Sequence, residues 1–501
     1  MTTGATGGAA VAEGPAPPGG SIDRPPRRRC ILRRLRGPYG TRVRIWLLTC
    51  LCLASVGALF SVTSVAISQA REGFQVIGHG AGPKVAATAD LYFALSDMDA
   101  QVANILLMGD EHALGSGREA SVRRYEQRRD DANAALLHAA QLAEGDAAEQ
   151  RTVREVLNGM GDYEQLVAEA RLLNDEAGTG PGEPAASVVD RYRQATDLMR
   201  LELLPKAYNL TLESGATVRG AYEERRSDIR LGPVWVAVSG TLAVVSLIAL
   251  QLFLRARFRR SYNPALAAAT AGVLALVGLA TGMLQNQAEQ LRTAKEDGLD
   301  SVIALSRAQA ISTGMNADQS RWLLDPERAD TYAQSYFEDA QTVLYVEGPG
   351  GVVPGDLDAY DAEVGSLVAD RAGYRGRVLG FLGDELDETR LDGQVEAQHE
   401  VLRAYDGFLR ADREMRAIAA DGRRREAVDA HMGGAGSVQD AFDRYEETLI
   451  NLTSLHRATF DDAVNAGDRG VAGWEALLPA STLAFGVLIL AGVRPRLAEY
   501  R

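Results

Sequence analysis

Four apolar segments stand out along a chain that is otherwise polar. They cover residues 45–67, 233–254, 264–285 and 474–493. Each is close to the roughly 20 apolar residues that a helix needs to cross a bilayer. The first follows a polar tail over residues 1–44 and is longer than the apolar region of a cleaved signal peptide. The pattern therefore predicts four transmembrane helices, the first of them a retained anchor.

The two long polar segments, 68–232 and 286–473, show helical periodicity. Heptad-like seams run through Leu91, Leu95, Met98, Val102, Ile105 and Gly109, and through Phe442, Tyr445, Leu449, Leu452, His456 and Thr459. A polar line of Asp90, Asp97, Gln101 and Asn104 lies on another face of the first helix. Glycine- and proline-rich breaks separate the periodic stretches. We predict an all-α protein in which each segment forms an up-and-down helical bundle, whose first and last helices continue from the spans.

The two halves of the chain repeat one another. Asn209-Leu210-Thr211 recurs as Asn451-Leu452-Thr453, and Tyr163 recurs as Tyr405 at the same offset. Around Met98 a looser similarity links the first half to the sequence around Met315. These matches predict a tandem duplication of one span–bundle–span unit. The second copy carries an insertion near 348–392, which we interpret as a surface insertion, with a binding element as the alternative.

Arginine placement predicts the orientation of the spans. The tail 1–44, the short loop 255–263 and the tail 494–501 are rich in arginine and poor in acidic residues. By the positive-inside rule all three lie in the cytoplasm, so both termini are cytoplasmic and both bundles lie outside the plasma membrane. The tail 1–44 also has a disordered composition, rich in glycine, proline and alanine before its arginine cluster. The lipid bilayer is thus the first predicted partner.

Composition and motifs exclude several classes of function. The net charge of −14 gives no indication of nucleic acid binding. The histidines show no metal-ligand spacing, and no phosphate-binding loop or nucleophile elbow is present in the sequence. We interpret the carboxylates as solvated helix faces. Gly272, Gly278 and Gly282 indicate close helix packing in the third span. We expect no enzymatic activity, no catalytic, metal or cofactor-binding residues and no cofactor, and the ligand-binding residues stay unknown.

Two resemblances bear on function. The stretch Ala94–Leu107 resembles the first helix of the four-helix-bundle sensor domains of chemoreceptors, although the cytoplasmic signalling helices of those receptors have no counterpart here. The whole layout is similar to GlnX-type membrane proteins of actinobacteria, on architecture and composition. That resemblance implies a relay, in which a solute-binding lipoprotein (GlnH) reports extracellular amino acids and a cytoplasmic kinase (PknG) responds. It transfers no binding residue.

The leading hypothesis is therefore a non-enzymatic sensor or relay that acts by movement of its spans. A direct small-molecule sensor and a structural scaffold of the cell envelope are the alternatives. Homo-oligomerisation stays open.

Overall fold

The computed structural model describes residues 41–111, 113–114, 117–143, 146–258, 263–387 and 390–498. The predicted tail 1–44 lies outside them except for its last residues, as do 259–262 of the predicted loop and the end of the predicted tail 494–501. The described chain is almost entirely helical, as the sequence predicts. Its α-helices are α1 Thr41–Phe74, α2 Gly82–Met108, α3 Arg118–Leu142, α4 Ala147–Ala177, α5 Ala186–Leu198, α6 Leu204–Phe258, α7 Pro264–Arg292, α8 Asp300–Leu324, α9 Ala329–Val343, α10 Leu357–Ala369, α11 Gly380–Asp387, α12 Gln394–Ala420, α13 Arg424–Met432, α14 Val438–Val471 and α15 Trp474–Ala498.

Four helical stretches are long and apolar enough to cross a membrane, and they contain the four predicted spans in α1, α6, α7 and α15. Their facing sides pack into one cluster that includes Leu59, Val236, Val273 and Ile489. Many of their other large apolar side chains are exposed, for example Leu279 at 64 %. Exposed apolar surface of this kind suits lipid, so the chain is a multi-pass membrane protein.

Small residues bring the spans together, although not all of those predicted. A methyl group at Gly272 would clash with the Phe485 ring of α15, and one at Gly240 would clash with Val277 of α7. Gly278 and Gly282 have no other group within 4 Å of where a methyl group would stand. The prediction of close helix packing in the third span is therefore confirmed at Gly272. It is wrong at Gly278 and Gly282.

The two polar segments build one common body, here called the polar body (68–232 and 286–473). Its hydrophobic core contains Leu95 and Tyr163 from the first segment together with Leu305, Tyr405 and Phe442 from the second. Helices α2 and α8 lie side by side at its centre, and every residue of α2 from Ala94 to Met108 is buried. These are the equivalent helices of the predicted duplication. The two predicted bundles thus share their interior.

Three of the four connections between spans and polar body are unbroken helix. The π-helical segment Gln75–Ala81 joins α1 to α2, a second π-helical segment, Thr293–Leu299, joins α7 to α8, and α6 runs through the third connection. A third, shorter π-helical segment, Met199–Leu203, joins α5 to α6. Only α14 is separated from its span, α15, by a turn at Gly473 with φ of 83°. The prediction of helices that continue into the spans therefore holds at three connections.

The insertion of the second copy is folded into the core. It contains α10, a short 3-10 helix at Arg371–Tyr374, β2 Val378–Leu379 and α11, and β2 forms an antiparallel ladder with β1 Tyr345–Val346 just before the insertion. Tyr360 of α10 is fully buried, and its hydroxyl donates to the backbone oxygens of Ala340 and Leu344 at 2.8 and 2.7 Å. The interpretation as a surface insertion is therefore wrong, because a buried phenol anchors it to α9.

Candidate functional site: a buried charge network between two clefts

A buried ion cluster links the two copies at the centre of the polar body. Asp99 of α2 and Arg321 of α8 form an ion pair, and both side chains are almost fully buried. The carboxylate of Asp99 also accepts hydrogen bonds from the hydroxyls of Tyr163, at 2.9 Å, and Thr196, at 2.8 Å. A buried charge is tolerated when such partners replace the lost water. The contact between the copies is thus specified by charge as well as by packing.

Arg321 is the buried cation that neutralises the acidic side chains of this cluster. Its guanidinium also pairs with Asp318, one turn away on α8, and its Nε donates to the Tyr192 hydroxyl at 3.2 Å. Arg200 lies 3.5 Å from the same Asp318 carboxylate. The two buried acids therefore rely on one buried cation and on a second that is partly exposed.

A second polar group lies along the same interface. Asp97 accepts from Arg128 at 2.7 Å, from Arg124 at 3.0 Å and from Gln101 at 2.8 Å. Arg124 also donates to Glu446 of α14 at 2.9 Å, so it connects the copies. The expectation of solvated carboxylates is wrong for these acids, because the faces that carry them meet the other copy.

A neutral histidine, His431, takes part in a further polar contact between α2 and α8. The Ser320 hydroxyl lies 2.6 Å from both the Asn104 side-chain oxygen and the His431 Nε2. Burial, with Arg416 nearby, lowers the pKa of His431 to about 3, so the ring is uncharged at neutral pH. This contact joins α2, α8 and α13 without adding charge.

Two clefts open on either side of the central α2–α8 pair. The first, of about 520 Å³, is lined by α2, α3, α8 and α14. The second, of about 420 Å³, is lined by α8, α9, α2 and the start of α6, with α11 of the insertion added. In the predicted duplication α3 corresponds to α9 and α14 to α6, so exchange of the two copies turns the first set of helices into the second. The two clefts therefore occupy equivalent positions in the predicted repeat.

The first cleft has a mixed-charge lining. Arg128 lies between Asp97 and Asp131, with its guanidinium carbon 4.5 Å from the centre of the Phe93 ring. Asp90 of α2 and Arg457 of α14 are exposed in the cleft, and neither forms an ion pair within the described part of the chain. Desolvation raises the pKa of Asp90, and Arg457 counters this effect from across the cavity, so an acid and a base that are not in contact face each other there.

The second cleft differs in its chemistry. Asp339 of α9 forms no hydrogen bond or ion pair with a described residue, and desolvation, with Asp318 nearby, raises its pKa to about 7. The opposite wall is aromatic, with the Tyr92 and Tyr208 rings 5.8 Å apart and Phe381 from the insertion. The two cavities lie between equivalent helices of the predicted duplication and differ in charge and polarity.

The sequence left the ligand-binding residues unknown, and the structure shows why. Asp90 belongs to the predicted polar line, but Arg457 is distant from it in the sequence and lies in the second half of the chain. No local sequence pattern therefore connects the two residues. Among the residues described, no group of three or more histidine, cysteine or acidic side chains is arranged to hold a metal ion.

Comparison with known proteins gives one match. Residues 73–223 fit the family model described as an actinobacterial sensor domain. They extend from the end of α1 into α6, which is most of the first copy's share of the polar body. No curated protein and no solved structure matches the chain. Over residues 73–223 the chain is similar to actinobacterial sensor domains, and this similarity supports a sensing role for an actinobacterial membrane protein.

Proposed function

We propose that this chain is a non-enzymatic relay of the plasma membrane with both termini in the cytoplasm. The polar body receives an extracellular amino-acid signal from a solute-binding lipoprotein, and the spans pass it to a cytoplasmic kinase. The similarity to a sensor domain supports the sensing part. The arginine-rich short segments support the orientation. The lipoprotein and the kinase follow from the resemblance in layout.

The observation that carries the proposal is the continuity of helix from the buried charge network to the membrane. Helices α2 and α8 meet at Asp99 and Arg321, and each runs through a π-helical segment into a span. A helix transmits displacement along its axis, so a change in the α2–α8 contact reaches both spans. π-Helical segments are rare and concentrate at functional positions.

Helix α14 is packed against both of these π-helical connections. A methyl group at Gly298, in the segment before α8, would lie 2.9 Å from the Cα atom of Phe460. At Gly78, in the segment before α2, it would lie 2.7 Å from a methyl carbon of Val464. Such close approach couples the two connections, because neither can move without displacing α14.

The relay is tested by capture of a partner. The full-length protein in nanodiscs is incubated with candidate solute-binding lipoproteins, with and without amino acid. We expect one lipoprotein to be retained, with an affinity that depends on its ligand. Absence of retention under both conditions would overturn the relay.

Movement of the spans is tested by disulfide formation. A Cβ atom at Gly232 of α6 would lie 3.4 Å from the Ala66 Cβ of α1, close to the separation that a disulfide requires. The variant Ala66→Cys/Gly232→Cys is made with serine at Cys30, Cys50 and Cys52. We expect its rate of cross-linking to change when the loaded partner binds.

The control pair is Gly240→Cys/Val277→Cys, which joins α6 to α7 with a comparable Cβ separation of 3.2 Å. It reports general loosening of the spans. Equal changes in both pairs, or in neither, would contradict a directed movement of the first span against the second.

A direct small-molecule sensor is the second candidate, and the two clefts favour it. Each touches α2 and α8 together with the last long helix of one copy. A ligand in either cleft therefore contacts three helices that lead to different spans.

A further inference from the structure

The first cleft holds two opposite charges that interact across the cavity without touching. Within the described residues, Asp90 has no basic group and Arg457 no acidic group within 4.0 Å, yet Arg457 is near enough to act electrostatically on the Asp90 carboxylate. The two side chains belong to different copies and line the same cavity of about 520 Å³. We propose that this cleft binds a free α-amino acid, with its carboxylate on Arg457 and its ammonium group on Asp90.

The charge balance of the lining selects a neutral zwitterion. The charges of Asp90, Asp131, Arg128 and Arg457 sum to zero, and Arg128 is already shared between Asp131, at 3.2 Å, and the buried Asp97, at 2.7 Å. A simple anion or cation would leave one of the two remaining groups without a partner in a partly desolvated site, and an amino acid with a charged side chain would add a charge that the lining does not balance. A ligand that carries both charges satisfies both. Arginine also suits a carboxylate, since its two parallel N–H groups match the two oxygens.

The remaining lining of the cleft suits the backbone of an amino-acid ligand and a ligand side chain that is small or apolar. Hydroxyls and an amide come from Ser306, Gln309, Thr453 and Ser454. The apolar part consists of Ala87, Phe93, Ala94, Ala134, Ala135 and Ile450, and Ile450 is 47 % exposed. Alanines leave room beside the charged groups, while Ile450 offers apolar area to a ligand side chain. Uncharged side chains are therefore favoured over acidic and basic ones.

Binding in this cleft acts on the contact between the copies. The ligand bridges Asp90 on α2 and Arg457 on α14, so it draws the first copy towards the last long helix of the second. Arg128 forms one wall and holds the buried Asp97 at 2.7 Å. The inference rests on the proposed sensing function only for the effect of binding, since binding itself needs no partner protein.

The test is calorimetric titration of the full-length protein in nanodiscs. The probes are serine, glutamine and leucine, each compared with its N-acetyl and its amide derivative and with glycine betaine. We expect a free amino acid to bind, and loss of either charge to weaken binding by about tenfold or more. Betaine separates zwitterions in general from amino acids, because its quaternary nitrogen cannot donate a hydrogen bond to Asp90. Betaine binding as tight as the amino acid would overturn the assignment of the ammonium group.

Variants locate the site. We expect Asp90→Asn and Arg457→Gln each to weaken binding by about tenfold or more. The matched controls are Asp130→Asn on α3 and Arg444→Gln on α14, whose side chains are exposed outside the cleft, and we expect them to bind as the parent does. All four side chains are exposed, so thermal unfolding should stay close to that of the parent.

The outcomes separate this inference from the relay. No binding of any free amino acid at millimolar concentration, or binding that survives both cleft variants, would overturn the cleft assignment and leave the lipoprotein relay intact. Binding that needs Asp90 and Arg457, without retention of any lipoprotein, would support the cleft and overturn the relay.

Discussion

Arg321→Met removes the one buried cation that serves two buried acids. Methionine preserves most of the side-chain length and leaves Asp99 and Asp318 without the guanidinium. Asp99 keeps the hydroxyls of Tyr163 and Thr196, and Asp318 keeps Arg200 at 3.5 Å. Removing one member of a buried ion pair typically costs about 3–5 kcal/mol, because the other charge stays desolvated. We expect a loss of unfolding free energy in that range.

Denaturant titration of the full-length protein in nanodiscs, followed by tryptophan fluorescence, measures the effect. Trp322 lies on α8 beside the site, with its ring centre 4.9 Å from the Arg416 guanidinium carbon. Arg444→Gln, which breaks an exposed ion pair with Asp440, is the control and should cost about 0–1 kcal/mol.

A cost of Arg321→Met no greater than that of this control would refute the role given to Arg321 in balancing the two buried acids. A neutral network offers a further check. Asp99→Asn/Asp318→Asn/Arg321→Met should be more stable than Arg321→Met alone, since no buried charge is left unpaired.

Three further predictions concern other parts of the polar body. The pKa of Asp339, raised to about 7, makes the parent lose stability as pH rises from about 4 to about 7, and Asp339→Asn should flatten that part of a stability–pH profile. His456 lies 2.8 Å from Glu385, which raises the pKa of His456 and lowers that of Glu385. This pair should stabilise most between about pH 4.5 and 6.5 and should weaken as pH rises from about 6.5 through the raised folded-state pKa of His456, a dependence that His456→Gln should remove in the same measurement. Gly298→Ala should destabilise by about 1–3 kcal/mol in thermal or denaturant unfolding because its methyl group meets the backbone of α14, whereas Gly215→Ala, with open space around it, should be neutral or stabilising.

The features that could be predicted well from the sequence are those that local periodic patterns indicate. Runs of apolar residues mark the spans, and the seam of Leu91, Leu95 and Met98 is buried as the heptad spacing indicates. Helix ends at Ala177, Leu324 and Met432 coincide with glycine- or proline-rich breaks. Each of these depends on residues within a few turns of one another, so a single chain suffices to find them.

What the sequence missed depends on contacts between distant segments. The local sequence around a buried aspartate such as Asp99 does not differ from the sequence around a solvated one. Asp99 is paired with Arg321 only because α8 packs against α2. The cleft residues Asp90 and Arg457 come together for the same reason. The π-helical segments Gln75–Ala81 and Thr293–Leu299 share little sequence, and tertiary packing against α14 accompanies both.

The shared core of the two copies changes what a mutation can do. In a symmetric assembly of two identical chains, every substitution appears twice and both sites must tolerate it. Here the second half is tethered to the first, so the pairing needs no encounter between molecules. Asp90 has Arg307 as its counterpart in the other copy. One cavity could therefore acquire new selectivity while the other kept an older one, and a single polypeptide could weigh two chemical inputs against each other.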